Sequence, residues 1–158
     1  MSKIKLILLF ISSVLVLGGC KQSPQTSSTL ELKDHQIVKA KFSNSLPLSI
    51  EVVNTPKSIA QGLSGRDEVG ADGMMFIFNQ PTIPQFWMKE MRFDLDIIWI
   101  NRQRIVEISR NVSAPVSGTP LSELPTYSPK QSIEMVLEVE AGKATEWELA
   151  IGDLVVIE

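Results

Sequence analysis

Two aspartates that could take part in acid–base chemistry, Asp94 and Asp96, lie two positions apart in an apolar segment. Alternate residues of a β-strand face the same side of a sheet, so their carboxyl groups would stand about 6–7 Å apart on one face. Inverting glycosidases place their acid and base at a similar separation. The spacing therefore raises the hypothesis of a carboxylate-dependent saccharide hydrolase, with Asp94, Asp96 and Glu138 as candidate catalytic residues.

A second set of polar and aromatic residues suits ligand binding. Its members are Arg66, Trp87, Lys89, Asp96 and Tyr127. Carboxylates with amphipathic rings can bind a sugar, and a guanidinium with an ammonium can hold a ligand carboxylate. These residues are predicted to rim a cleft beside a proline-rich loop at residues 113–130.

Each of these residues also has a structural interpretation. Trp87 and Trp99 could fill the core, as aromatic residues do in β-rich domains. Asp96 is embedded in apolar sequence, where a carboxylate must be paired or hydrogen-bonded. A salt bridge from Asp96 to Arg66 or Lys89 is the favoured structural alternative to a ligand role.

Composition excludes several kinds of site. The 158-residue chain has one cysteine and one histidine, so it can form neither an internal disulfide nor a His/Cys zinc site. The histidine, His35, lies outside the predicted domain, which leaves a Ser-His-Asp triad without a base. The net charge of −3, without basic clusters, argues against nucleic-acid binding. No metal or cofactor is predicted, and a non-enzymatic role is favoured.

Residues 1–19 have the features of a bacterial lipoprotein signal peptide. Lys3 and Lys5 precede a twelve-residue apolar run, which is too short to span a bilayer as a helix, and Leu-Gly-Gly-Cys then ends at Cys20. Acyl chains such as palmitate on Cys20 would anchor the protein firmly to a membrane. Lys21 predicts the outer membrane in a two-membrane bacterium, and otherwise the outer face of the plasma membrane.

After a lipid-anchored flexible tether at residues 20–35, residues 36–158 form one predicted domain with mostly alternating apolar and polar residues. The predicted strands cover residues 37–42, 48–53, 74–78, 85–89, 95–100, 104–109, 133–139 and 154–157. The predicted helices cover about residues 55–63 and 142–149. Many short strands with two short helices predict a mainly β fold, a single compact sandwich or barrel.

Several motifs resemble the domain-of-unknown-function 192 family. The most specific is the segment 86–100, which begins Phe-Trp-Met-Lys. The others are the segments 62–66 (Gly-Leu-Ser-Gly-Arg), 73–78 (Gly-Met-Met-Phe-Ile-Phe), 137–142 and 152–153. The chain departs from the family pattern at Glu90-Met91 and at Asp94, where proline is usual. The resemblance implies a jelly-roll-like β-sandwich of small secreted or envelope proteins, and it implies no particular activity.

Together these features predict a lipid-anchored protein of the cell envelope. The favoured function is a non-enzymatic binding or accessory domain for an envelope glycan or protein. The alternatives are the hydrolase of cell-wall saccharides and a purely structural partner in an envelope complex.

The Leu-Gly-Gly-Cys sequence makes a direct prediction for Cys20→Ser. Without the thiol there is no acyl acceptor, so the precursor should stay uncleaved or become mislocalised while the domain folds normally. Radiolabelled palmitate incorporation and fractionation of cells would measure this. Processing of the wild type that is insensitive to globomycin would contradict the lipoprotein assignment.

Overall fold

The computed structural model describes residues 31–43 and 46–158, so the signal-peptide and lipidation predictions lie outside it. The strands are β1 (Ile37–Phe42), β2 (Leu48–Val53), β3 (Gly73–Thr82), β4 (Phe86–Trp87), β5 (Leu95–Asn101), β6 (Arg104–Val112), β7 (Thr126–Tyr127), β8 (Ile133–Glu140) and β9 (Val155–Ile157). The helices are α1 (Pro56–Gln61) and α2 (Lys143–Glu146). The predicted mainly β fold with two short helices is confirmed. No helix in these ranges is long and apolar enough to cross a membrane.

Seven strands form one curled sheet in the order β6-β5-β8-β3-β2-β1-β9. The β2–β3 pair is parallel and the other pairs are antiparallel. The two edges meet at a bridge between Arg104 and Leu154, and there the Val155 N–H donates to the Gln103 carbonyl at 2.8 Å. The sheet therefore curls into a barrel-like shape around its inner face.

The loop predicted at residues 113–130 contains a short strand. Its β7 pairs with β4, with Phe86 opposite Tyr127 and Trp87 opposite Thr126. Together β4 and β7 form a two-stranded ribbon separate from the main sheet. This ribbon holds the aromatic residues of β4 next to one face of the sheet.

Helix α1 begins as its sequence predicts. Thr55 is the N-cap, its side chain accepts from the Ser58 N–H, and Pro56 occupies the first turn. Asp34 extends the cap, because it accepts from Ser58 Oγ at 2.6 Å and from the Asn54 N–H at 3.0 Å. Residues 31–35 were expected to belong to the flexible tether, but here Asp34 and its neighbours contact α1 and β2.

The sheet buries apolar side chains on both faces, as alternation along each strand requires. The inner face carries a cluster that includes Ile50, Met75, Ile98, Leu137 and Val139. The outer face carries a second cluster under α1 and the ribbon, which includes Met74, Phe76, Ile97, Trp99 and Val136. The candidate site lies on the outer face.

Asp96 is fully buried and faces inward from β5. Its carboxylate accepts from the backbone N–H groups of Asn111 at 2.8 Å, Gly142 at 3.0 Å and Ala144 at 3.1 Å. The expected salt bridge to Arg66 or Lys89 is wrong, because backbone donors satisfy the carboxylate instead. Asp96 therefore holds the start of α2 and the end of β6 against β5.

We expect Asp96→Asn to destabilise the fold by about 3 kcal/mol. The amide loses the charge that strengthens these hydrogen bonds, and its NH₂ group faces a backbone donor. Urea unfolding measures the change. Asp94→Asn is the matched control and should cost under about 1 kcal/mol, because among the described residues the Asp94 carboxylate accepts a single hydrogen bond, from the Ala114 N–H at 2.7 Å. Equal losses in the two variants would contradict the proposed role of Asp96.

Candidate functional site

An open cleft lies on the outer face of the sheet, between α1 and the β4–β7 ribbon. Its volume is about 160 Å³. It is lined by Ile59, Ala60, Gln61, Gly62, Leu63, Ser64, Phe76, Phe78, Pro84, Gln85, Phe86, Trp87, Met91, Leu95 and Glu138. We call it the aromatic cleft. A cavity of about 150 Å³ is large enough for benzene, so this cleft has room for one ring-sized group.

The aromatic walls are held by contacts between rings. Phe86 packs edge-to-face on Phe76, with ring centroids 5.0 Å apart, and on Trp99, with centroids 5.5 Å apart. Such arrangements are the favoured geometry of aromatic pairs. Because Trp99 is fully buried and its indole N–H donates to Ser109 Oγ at 3.1 Å, this set of rings is fixed to the core.

Trp87 lies beside this wall and keeps 46% of its surface exposed. The interpretation of Trp87 as a core residue is therefore wrong, whereas the same interpretation of Trp99 holds. The ammonium of Lys89 lies 5.9 Å from the centroid of the Trp87 ring, within the range of a cation–π contact. Trp87 thus offers an accessible aromatic surface at the opening of the cleft.

Glu138 supplies the carboxyl group of the cleft. It faces outward from β8 between Met74 of β3 and Ile97 of β5, and only 6% of its surface is exposed. Among residues 31–43 and 46–158, no side chain or backbone group forms a hydrogen bond or ion pair with its carboxyl. Burial without a partner raises the pKa of Glu138 from 4.5 to about 8. At neutral pH the group is therefore mostly a neutral acid.

A glycine allows α1 to approach the cleft closely. Gly62 ends α1 with a φ of +49°, and a Cβ atom added there would lie 3.2 Å from Cζ of Phe76. A larger residue would be strained at this φ and would press on the aromatic wall. The Gly-Leu-Ser-Gly motif thus shapes one side of the cleft.

The structure separates the residues that were predicted to form one site. Trp87 and Glu138 line the aromatic cleft, whereas Asp96 lies under α2 on the inner face. Tyr127 is half-buried on β7 and packs against the outer-face cluster. Asp94 lies just before β5 and caps the Ala114 N–H, so it does not form the expected acid–base pair with Asp96.

Arg66 and Lys89 have partners of their own. Arg66 donates to both carboxylate oxygens of Glu51, at 2.7 and 3.0 Å, and His35 Nδ1 lies 2.8 Å from the same carboxylate. The guanidinium of Arg66 lowers the pKa of Glu51 against the opposing effect of burial. Lys89 lies 3.7 Å from Glu90 as well as over Trp87.

Most of the aromatic residues that line the cleft were not identified from the sequence. Phe76, Phe78 and Phe86 were not among the predicted site residues, although they line the cleft. The available signal was the Gly-Met-Met-Phe-Ile-Phe segment, in which Phe76 and Phe78 are two positions apart and so share the face of Glu138.

The different burial of the two tryptophans predicts different costs of truncation. Trp99→Ala should cost about 3–5 kcal/mol, since it leaves a large cavity in the core. Trp87→Ala should cost under about 1 kcal/mol, because its ring is already half-solvated. Urea unfolding of both variants tests the difference, and similar losses in the two would show that Trp87 is part of the core.

Glu138 predicts an unusual dependence of stability on pH. Its pKa is raised in the folded chain, so the folded state holds this proton more tightly than the unfolded state does. The contribution of this proton to the free energy of unfolding is fully present below about pH 4.5 and is lost as pH rises towards 8. The slope is about 1.4 kcal/mol per pH unit at most. We expect Glu138→Gln to flatten this dependence in urea titrations between pH 5 and 8. The exposed Glu140→Gln on the same strand should keep the wild-type slope; equal slopes for wild type and Glu138→Gln would contradict the assignment.

Comparison with known proteins agrees with the resemblance in the sequence. The family model for DUF192, described as "Uncharacterized ACR", matches residues 22–157. A comparison with curated proteins finds no match.

A protein of unknown function from Novosphingobium aromaticivorans has a similar structure, with 26% identity, a TM-score of 0.67 and coverage of 80% of this chain and 89% of that chain. A putative transcription regulator from Sinorhizobium meliloti shares the fold at 21% identity and a TM-score of 0.68, over 80% of this chain and 97% of that chain. Because the family match spans nearly the whole described domain, the chain belongs to the DUF192 family.

Proposed function

We propose that this protein is a lipid-anchored binding domain of the bacterial envelope whose aromatic cleft takes one ring of an envelope saccharide. The observation that carries the proposal is the juxtaposition of the half-exposed Trp87 and the buried carboxyl of Glu138 in one open cleft. A sugar ring has an apolar face that stacks on an aromatic ring and a polar edge that needs hydrogen-bonding groups. The cleft offers both within a space of about 160 Å³.

The anchor part of the proposal rests on the sequence alone. A tether between Cys20 and the domain would leave the cleft free to reach ligands near the membrane surface. Anchoring through acyl chains would be durable, because each buried methylene contributes about 0.8 kcal/mol. The same tether would serve a purely structural partner, but an open cleft with a half-exposed tryptophan favours ligand binding.

Binding is favoured over hydrolysis by the placement of the carboxylates. Glycosidases commonly use two carboxyl groups on opposite sides of the scissile bond. Of the residues that line the cleft, Glu138 alone carries a carboxyl. The other two candidates are already used, since Asp96 accepts three backbone N–H groups and Asp94 accepts one.

A saccharide screen of the purified full-length protein in detergent tests this proposal. The panel contains peptidoglycan fragments and other envelope glycans, and binding is followed by thermal shift and by microarray. We expect at least one saccharide to bind and Trp87→Ala to weaken it about tenfold, which corresponds to about 1.4 kcal/mol of lost stacking.

The matched control is Ile151→Ala. Ile151 is 70% exposed and does not line the cleft, so its truncation should leave saccharide binding unchanged. Binding that survives Trp87→Ala, or no binding across the whole panel, would overturn the proposed function.

A further inference from the structure

Within residues 31–43 and 46–158, the carboxyl of Glu138 has no counterion. Asp96, on the adjacent strand, shows how this fold satisfies a buried carboxylate, with three backbone N–H donors. Glu138 has no such donors in the described part of the chain, yet it is almost as deeply buried and opens into the cleft. An isolated buried charge is very costly, so ionised Glu138 would be stabilised by a positive partner, which the described residues do not supply.

The polar side chains around Glu138 are poorly suited to an anionic ligand. Gln61 Nε2 already donates to the Ser64 carbonyl at 2.9 Å, and Ser64 Oγ already donates to the Lys89 carbonyl at 2.8 Å. None of the residues that line the cleft is basic. The cleft therefore has an acidic group and no basic side chain to hold an anion, which is the reverse of an anion site.

The walls also favour a positively charged group. The face of an aromatic ring is electrostatically negative, and ammonium groups bind in cages of such rings. Phe76, Phe78, Phe86 and Trp87 line the same cleft as Glu138. Trp87 already has one ammonium near its ring, that of Lys89 at 5.9 Å.

We propose that the aromatic cleft binds an organic ammonium group, such as the amine of an amino sugar, which pairs with the Glu138 carboxylate between the aromatic rings. This inference rests on the proposed function, because it names the chemical class of the ligand at the same site. On binding, Glu138 releases its proton to the solvent, and the ammonium of the ligand replaces it as the positive partner.

We expect the pH dependence of ammonium binding to come from the titration of Glu138. The neighbouring strands present Met74 and Ile97 to it, and the cleft lining contains no second charged group. The surrounding elements carry other charged residues: Lys57 on α1, Lys89 and Glu90 after β4, Asp94 before β5, Asp96 on β5, Glu134 and Glu140 on β8, and Glu51 of β2, which is paired with Arg66 and His35. Since free Glu138 is mostly protonated at pH 7, affinity for a permanent cation should rise about tenfold between pH 7 and 9.

Choline and its neutral isostere 3,3-dimethyl-1-butanol provide a matched pair of probes. Neither titrates between pH 6 and 9, so changes in affinity report on the protein. Isothermal titration calorimetry of the full-length protein should show that choline binds at least tenfold more tightly than the alcohol at pH 9. At pH 7, titrations in buffers of different ionisation enthalpy should show release of about one proton per choline bound.

Two variants locate the effect. Glu138→Gln should weaken choline binding at pH 9 at least tenfold and abolish its pH dependence, whereas Glu140→Gln should behave as wild type. Equal affinities for choline and the alcohol, or choline binding independent of pH in the wild type, would overturn the ammonium inference. If saccharides still bind through Trp87 in that case, the proposed function stands; if neither saccharides nor choline bind, both proposals fail.

Discussion

The buried carboxylate of Asp96 is the interaction on which much of this fold depends. It lies near the start of β5, next to the edge strand β6, and its three backbone donors come from the end of β6 and the start of α2. The donor in β6 is Asn111, which has a φ of +52° at a shift in register between β5 and β6. A buried charge tolerates no missing partner, so this carboxylate fixes the irregular end of β6 and the short helix α2 together.

Glu138, on the adjacent strand β8, is a buried acid without the hydrogen-bond donors that Asp96 has. Asp96 is paired with Val139 in the β5–β8 register, so the two acids are neighbours in the sheet that face opposite sides of it. Inward, the carboxylate is completely satisfied and holds the fold. Outward, the carboxyl is left to the aromatic cleft, where desolvation raises its pKa to about 8. The same chemical group thus serves the fold on one face and remains available for a ligand on the other.

Alternation along the chain predicted most of the strands, because burial on two faces of a sheet imposes a period of two. The N-cap at Thr55 could also be predicted from adjacent residues, because threonine followed by proline is typical of the first turn of a helix. The site depended on non-local facts. Nothing near Arg66 in the sequence shows that Glu51 is its partner, and nothing near Trp87 shows that β7 pairs with β4 and leaves its ring at the surface. Asp94 and Asp96 failed as a pair because the strand begins between them, at Leu95.

A carboxyl without a partner lowers stability at neutral pH, and an apolar side chain at position 138 would pack there at no electrostatic cost. Next to Met74, Phe76 and Ile97, such a residue would simply extend the outer-face cluster. In the proposed function, Glu138 adds a group that gains a partner when a ligand enters. A binding site needs this incompleteness, because a polar group already satisfied by the protein contributes little to recognition. The uncompensated acid in an otherwise well-packed sheet is therefore the feature that separates the cleft from the rest of the surface.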